Sequence, residues 1–345
     1  MSEVPAAARA VVIGAGIVGS SLVHHLARLG WRDLVLLDKG PLPNPGGSTG
    51  HASNFIFLVD HSKEMWALTR DSTNQYQELG VFTRSEGIEV ARTEARLEEL
   101  RRRMSSSLSW GEESFLLTPA EIKEKVPYIN EEILLGGFHT PAVGVVDSLR
   151  AGTLMREEAQ EPGALSVSAN TEVLDIDTEG GRVTRVRTDR GDIDTEIVVI
   201  ACGVWSPRLA RMAGASIPLT PAVHQMIDVG PVPHFADSKS AIEFPIVRDM
   251  DEHQDGSGLE VGSYAHRPIL YDPEEIPSIE ESALSPTELP FTQDDFVQQM
   301  EHALELMPEI LGDESVGIKY AINGLLSLTP DGLPILGETP EVKGL

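Results

Sequence analysis

Three glycines, Gly14, Gly16 and Gly19, stand at the spacing G-x-G-x-x-G, and an acid, Asp38, follows nineteen residues after the last of them. Each has a chemical use. Gly14 permits a tight turn, Gly16 lets backbone approach a pyrophosphate, and Gly19 lets a helix pack closely on a strand. The N–H groups at the start of that helix can hold phosphate oxygens, and Asp38 is placed to hold a ribose 2′-OH. The elements that must position these residues are legible around them. Ala10-Val11-Val12-Ile13 is a short apolar run, residues 20–29 are periodic, and Leu34-Val35-Leu36-Leu37 is a second apolar run closed by Asp38. Strand, glycine turn, helix, strand and acid in this order specify an adenine dinucleotide site.

Other chemistries are poorly supported. His24 and His25 are adjacent on the first helix and cannot face one metal together. There is no HExxH and no paired Cys, so no metal site is expected. Ser48, Ser206 and Ser263 lack the Gly-x-Ser-x-Gly elbow. The acidic run Asp249 to Asp255, with His253 inside it, reads as a solvated loop rather than a cation site. Cys202, the only cysteine, sits at the end of an apolar run and reads as packing.

Composition narrows the class further. The 345 residues can bury a sizeable core, most simply as two domains. There are 54 acidic and 27 basic side chains, a formal net charge of −27, with seven Lys against twenty Arg. Nucleic acid is therefore not an expected partner. Low Lys with high Asp and Glu fits a halophilic protein from a salt-rich cytoplasm, where self-repulsion is screened. No apolar stretch approaches the roughly 20 residues of a membrane span. The first strand begins within ten residues, so no targeting segment is expected and a cytoplasmic location is.

The order of elements suggests a chain that leaves the nucleotide domain and returns to it. A turn-rich loop, residues 40–53, precedes a helix over 62–79. Residues 97–104 resemble a solvated helix face, and Thr118-Pro119-Ala120-Glu121 is a helix start. A helix over 150–160 leads to a small meander at 173–176, 183–188 and 193–195. Ile197-Val198-Val199-Ile200-Ala201 reads as a buried parallel strand. Residues 217–271 are strand-like, 272–290 read as a surface loop rich in Pro, Glu and Ser, and Thr292 caps a helix to 307. The expected fold class is α/β within an α+β whole: a Rossmann-like FAD-binding domain with a discontinuous antiparallel-sheet substrate domain. The FAD domain would comprise 1–75, 146–215 and a return at 323–345, the substrate domain 76–145 and 216–322. The long excursion favours FAD over a nicotinamide cofactor; a nicotinamide dehydrogenase is the alternative on the glycine motif alone.

Several motifs together carry a family likeness. They are Val12-Ile13-Gly14-Ala15-Gly16-Ile17-Val18-Gly19, Leu37-Asp38-Lys39-Gly40-Pro41-Leu42, Pro45-Gly46-Gly47-Ser48-Thr49-Gly50-His51-Ala52, Ala201-Cys202-Gly203-Val204-Trp205-Ser206, His224-Gln225, Gly262-Ser263-Tyr264-Ala265-His266-Arg267-Pro268, and the segment from Thr329-Pro330-Asp331-Gly332 to Glu338. The chain resembles the glycine oxidase-like FAD amine oxidoreductases, most of all their dimethylglycine oxidase, dimethylglycine dehydrogenase and sarcosine dehydrogenase group. The resemblance implies FAD joined covalently through His51 at the flavin 8α-methyl carbon. It implies further cofactor contacts from Gly47, Ser48, Thr49, Val173, Gly203 and Trp205, and an active-site pair, His224 and Tyr264. His266 and Arg267 are weaker candidates; Arg267 could neutralise a substrate carboxylate or simply form a surface ion pair.

The implied reaction is oxidation of an N-methylated glycine, dimethylglycine or sarcosine, by hydride transfer from the N-methyl carbon to flavin N5, giving an iminium. Electrons would pass on to oxygen or to an electron-transfer protein. In this reading His224 influences the substrate's protonation and Tyr264 orients the amine or carboxylate. Two features depart from the family pattern. The segment between Arg248 and Glu260 lacks an aromatic-rich strand, and the chain ends at Leu345 before a closing strand and a glycine-rich helix start. The alternative is thus a truncated, catalytically incompetent fragment, or one half of a split flavoenzyme needing a C-terminal partner.

Overall fold

The computed structural model describes residues 4–59, 62–237, 242, 244–249, 252–255, 258–263, 266–282 and 285–345. Four short parallel strands form the nucleotide sheet, in the order Val198–Ile200, Ala10–Ile13, Leu34–Leu37, Leu165–Ser168. The two central strands are buried on both faces, which is why they read as unbroken apolar runs. Their alternation sorts two cores. Ala10, Val12, Leu34 and Leu36 pack with Val23 and Ala27 of the helix Ile17–Arg28 and Ala159 of the helix Ser148–Gln160. Val11, Ile13, Val35 and Leu37 pack on the opposite side, against Ile176, Val183, Val186 and Ile193 of the antiparallel meander Val173–Glu179, Arg182–Thr188, Gly191–Asp194. Val342 and Leu345 join that second core, and the Gly344 carbonyl accepts from Val198 N at 2.7 Å.

The strand Leu165–Ser168 is absent from the sequence expectation. Its Leu-Ser-Val-Ser pattern is half polar because it is the sheet's edge, and its pairing with Leu34–Leu37 is a tertiary fact. The helices follow their signals closely. Ser62, Thr93, Thr118 and Asp147 each cap a helix with a side-chain oxygen, and Thr118 with Glu121 forms a reciprocal capping box. Thr292 precedes the helix Gln293–Leu306 but makes no side-chain cap. Its hydroxyl accepts instead from the buried amides of Gln225 and Asn323, both at 3.0 Å.

The second unit is built on a nine-stranded sheet drawn from residues 87–140 and 220–328. Its pairings are antiparallel except where Ile246–Arg248 runs parallel to Gly87–Ala91. Period two again decides the faces. Along Thr220–Gly230, Ile227 and Val229 face a core with Leu259, Val261, Phe296 and Leu306. His224 and Met226 face the other way, beside Ile322, Gly324 and Leu326 of the strand Gly317–Leu328. No helix among the described residues is long and apolar enough to cross a membrane.

Candidate functional site

A cleft of about 470 Å³ runs along the carboxyl ends of the parallel strands, and the glycine turn forms one side of it. Gly14 has φ +105°, and a Cβ there would lie 2.3 Å from the Ala201 carbonyl oxygen. A Cβ on Gly19 would lie 1.9 Å from the Gly14 oxygen. The turn, the first helix and the strand before Cys202 are therefore in backbone contact that only glycine allows. The helix Ile17–Arg28 takes no side-chain cap from Gly16, and Gly16, Ile17 and Val18 at its start line the cleft. Thr49 Oγ1 accepts from Ile17 N at 3.1 Å and ties the Gly46-Gly47-Ser48-Thr49 loop to this end.

Gly14, Gly16, Asp38, Gly47, Ser48, Thr49, Val173, Gly203 and Trp205 all line the cleft; Gly19 lies behind it in the packing just described. Asp38 holds two backbone donors, Ala15 N on Oδ2 at 2.6 Å and Gly40 N on Oδ1 at 2.8 Å. Burial pushes its carboxyl upward against those two hydrogen bonds. Each oxygen keeps a lone pair for a ligand hydroxyl. The Ser48 hydroxyl donates to the Leu325 carbonyl at 2.7 Å, fastening the loop to the second sheet. Cys202 Sγ lies 3.1 Å from the Ile13 carbonyl, and burial drives its thiol well above the usual range, as a packing residue would show. Arg156 was not singled out by the sequence. It is buried behind the turn, where its guanidinium donates to Ala15 O and Ser20 Oγ.

A smaller cavity of about 170 Å³ adjoins the cleft, with Ala52 in both walls. It is lined by His51, Phe55, His224, Met226 and Arg248, among others. Two glycines on the strands flanking Thr220–Gly230 make room for its imidazoles. Gly324 pairs with His224, and a Cβ there would sit 3.0 Å from His51 Nδ1. A Cβ on Gly262 would sit 2.7 Å from His224 Nε2. Gly262 belonged to a recognised motif; Gly324 carried no signal until the register was known.

Burial lowers both imidazoles. His224 is pushed down to about 4, first by desolvation and then by the neighbouring His266 and His51. His51 is lowered by desolvation, partly offset by Glu288. His224 therefore stays an uncharged imidazole through the neutral range. His51 Nε2 meets Thr287 Oγ1 at 2.9 Å, and Thr287 in turn donates to the Gly46 carbonyl at 3.1 Å.

The segment 272–290 is not a free surface loop. Ile279 and Pro286 press on Gly46, Ser285 Oγ donates to Gly46 O at 2.6 Å, and Ser278, Ile279 and Pro286 line the cleft. Its acids meet cations around the rim: Glu280 pairs with Lys39, and Glu274 with Arg208 and Arg211. Residues 278, 279 and 286 thus form a strap along the cleft wall. Arg267 does not line either cavity; it is 67% exposed and forks onto Asp295 at 2.8 and 3.2 Å. His266 contacts the Arg267 carbonyl through Nδ1. Tyr264, and part of the run 249–255, lie outside the described residues. Among the described residues, no group of three His, Cys, Asp or Glu is arranged to hold a metal.

A parallel sheet with a phosphate-sized turn, helices on one face and an antiparallel meander on the other, opens onto a small pocket walled by a second sheet, and so defines a dinucleotide-dependent oxidoreductase. Comparison with known proteins agrees. Residues 9–345 match the DAO family, described as FAD dependent oxidoreductase, and the chain belongs to that family. It is 33% identical over 357 residues to mitochondrial sarcosine dehydrogenase of Mus musculus, covering 99% of this chain and 37% of that one. It is 27% identical to mitochondrial dimethylglycine dehydrogenase of Rattus norvegicus, covering 97% of this chain and 40% of that one. The chain thus spans about two fifths of the length of these relatives. In fold it resembles the L-proline dehydrogenase of P. horikoshii, with a TM-score of 0.82 at 23% identity, over 99% of this chain and 87% of the other.

Proposed function

We propose that this chain oxidises the N-methyl group of a small N-methylated glycine, dimethylglycine or sarcosine, with FAD held covalently through His51. The observation that carries the reading is the junction at His51-Ala52, where the dinucleotide cleft and the small imidazole-lined pocket share a wall. FAD, when bound, supplies a two-electron acceptor at N5 for the hydride of the N-methyl carbon. The glycine turn, the uncapped helix start and Asp38 would hold its pyrophosphate and ribose. Gly47, Ser48, Thr49, Gly203 and Trp205 would line the rest of its path, with Val173 at the adenine.

The substrate must enter as the free amine, because its nitrogen lone pair assists hydride loss. His224, uncharged above about pH 4, can accept a hydrogen bond from the amine but is too weak a base to drain an ammonium group. Deprotonation therefore belongs to the solvent, and kcat/KM should rise with pH along the substrate's own amine titration, without a step near 6.5. Tyr264 would orient the amine by its hydroxyl. The product iminium takes up water, releasing formaldehyde and the demethylated amine with a proton. Oxygen or an electron-transfer protein would remove the electrons.

The test is anaerobic bleaching of the purified flavoprotein by sarcosine, dimethylglycine and betaine. The two amines should bleach it and yield formaldehyde, whereas betaine, a quaternary ammonium with no lone pair, should not. Acid precipitation should leave flavin fluorescence in the pellet, lost in His51→Ala. Bleaching by none of the three compounds would overturn the reading. A colourless chain that takes up flavin only with a second polypeptide would make it one half of a split enzyme.

A further inference from the structure

A buried positive charge lies behind the glycine turn. Arg156, on the helix Ser148–Gln160, is 5% exposed. Gly152, one turn before it, makes the room: a Cβ there would sit 3.2 Å from Arg156 Nη1. Nη1 donates to Ala15 O at 3.2 Å and to Ser20 Oγ at 2.7 Å, and Nη2 donates to Thr153 Oγ1 at 3.1 Å. All three acceptors are neutral. Among the described residues Arg156 makes no ion pair with a carboxylate; the acids that act on it from further off are Asp38 and the exposed Glu157. A guanidinium buried on neutral acceptors is costly unless another anion comes near.

Ala15 joins this charge to the cleft. Its N–H donates to Asp38 Oδ2 at 2.6 Å, while its carbonyl accepts from Arg156 and, at 3.0 Å, from Ser20 Oγ. The Ala15–Gly16 peptide is trans, so its N–H points opposite to its C=O. The carbonyl faces Arg156. The Gly16 N–H therefore faces away from Arg156, and Gly16 lines the cleft. Arg156 thus sets the direction of a phosphate donor and places a full positive charge one peptide unit behind it.

We propose that Arg156 is a positioning residue for the pyrophosphate of the dinucleotide, acting through the Ala15–Gly16 peptide, and that its buried charge is compensated when the pyrophosphate enters. The proposal rests on the FAD reading for the identity of the ligand, but its claim concerns the phosphates alone. The two side chains that grip Ala15 then sort the parts of the ligand. Asp38 offers a carboxylate, which suits a ribose hydroxyl and repels phosphate; Arg156 does the reverse.

Calorimetric titration of ADP and of adenosine into the His51→Ala chain, after its flavin has been removed, tests this. Both ligands carry the nucleoside and only ADP carries the pyrophosphate. Arg156→Met should weaken ADP by roughly 10-fold and leave adenosine within about twofold. A turn that had merely lost its shape would weaken both together. Arg156→Lys, which keeps the charge without the fork, should recover most of the ADP affinity and guards against misfolding of the Met variant. Unchanged ADP affinity in Arg156→Met, an equal loss for ADP and adenosine, or no ADP binding by the parent chain would overturn the proposal. Uptake of FAD by that parent chain would still uphold the cofactor reading. ADP binding that depends on Arg156 in a chain that takes up no FAD would retain the proposal and reject the FAD reading instead.

Discussion

At the scale of single residues, the site is governed by what burial does to imidazole. His224 is held near 4 while an exposed or unfolded histidine titrates near 6.5. Between those values the unfolded chain takes up a proton that the folded chain refuses. The contribution to stability is therefore complete above about pH 6.5 and is lost as pH falls towards 4. At pH 5 this residue alone should cost about 2 kcal/mol. His51, His24 and His139 are lowered as well and act in the same direction. Glu86 and Glu99, lowered by their cationic partners, lose stability only below the ordinary glutamate range. Urea unfolding at pH 7 and pH 5 checks the sign. His224→Gln should retain about 2 kcal/mol more of its neutral-pH stability at pH 5 than wild type does. An identical loss in both would place the acid sensitivity elsewhere. The sequence could name His51 and His224 through their motifs, but not their protonation, which depends on strands more than a hundred residues apart.

At the scale of elements, the legible parts are those whose local chemistry is self-sufficient. The glycine turn, its flanking strands and the capped helices follow from spacing, φ and side-chain oxygens. The strap at 272–290 does not, because Pro, Glu and Ser look the same over a cleft as over open solvent. Its function is visible only in contacts: Thr287 and Ser285 on the Gly46 carbonyl, Thr287 against His51, and Glu288-Leu289 paired with Gly317–Leu328. Thr287 is fully buried. Replacing it by valine removes a partner from His51 Nε2 and from Gly46 O, at a cost of about 1–3 kcal/mol. The strap should then release the loop that borders the cleft. In a His51→Ala background, where any flavin is held without a covalent bond, Thr287→Val should speed FAD dissociation several-fold by stopped-flow fluorescence. Unchanged dissociation would mean that the strap packs on the cleft without holding it shut.

At the scale of the whole molecule, the net charge of −27 sets conditions on everything above. The acids are not uniformly idle. Glu89 is buried between Arg96 and Arg103, and Glu112 is paired with Arg70. Those pairs are shielded from salt, whereas the exposed excess is not. At low ionic strength the unpaired surface acids repel across the fold, and the Debye length of about 10 Å at 0.1 M salt lets neighbouring elements feel one another. Raising KCl to about 1 M shortens that length to roughly 3 Å and removes most of the repulsion, while the buried Glu89 network stays intact. The melting temperature should therefore climb with KCl, steeply below about 0.5 M and gently above. Scanning fluorimetry across that series measures it. A melting temperature that falls on adding salt would show that the exposed ion pairs, such as Arg185 with Asp194 and Arg187 with Asp177, outweigh the repulsion. The high acid content would then be an ordinary soluble surface rather than an adaptation to a salt-rich interior.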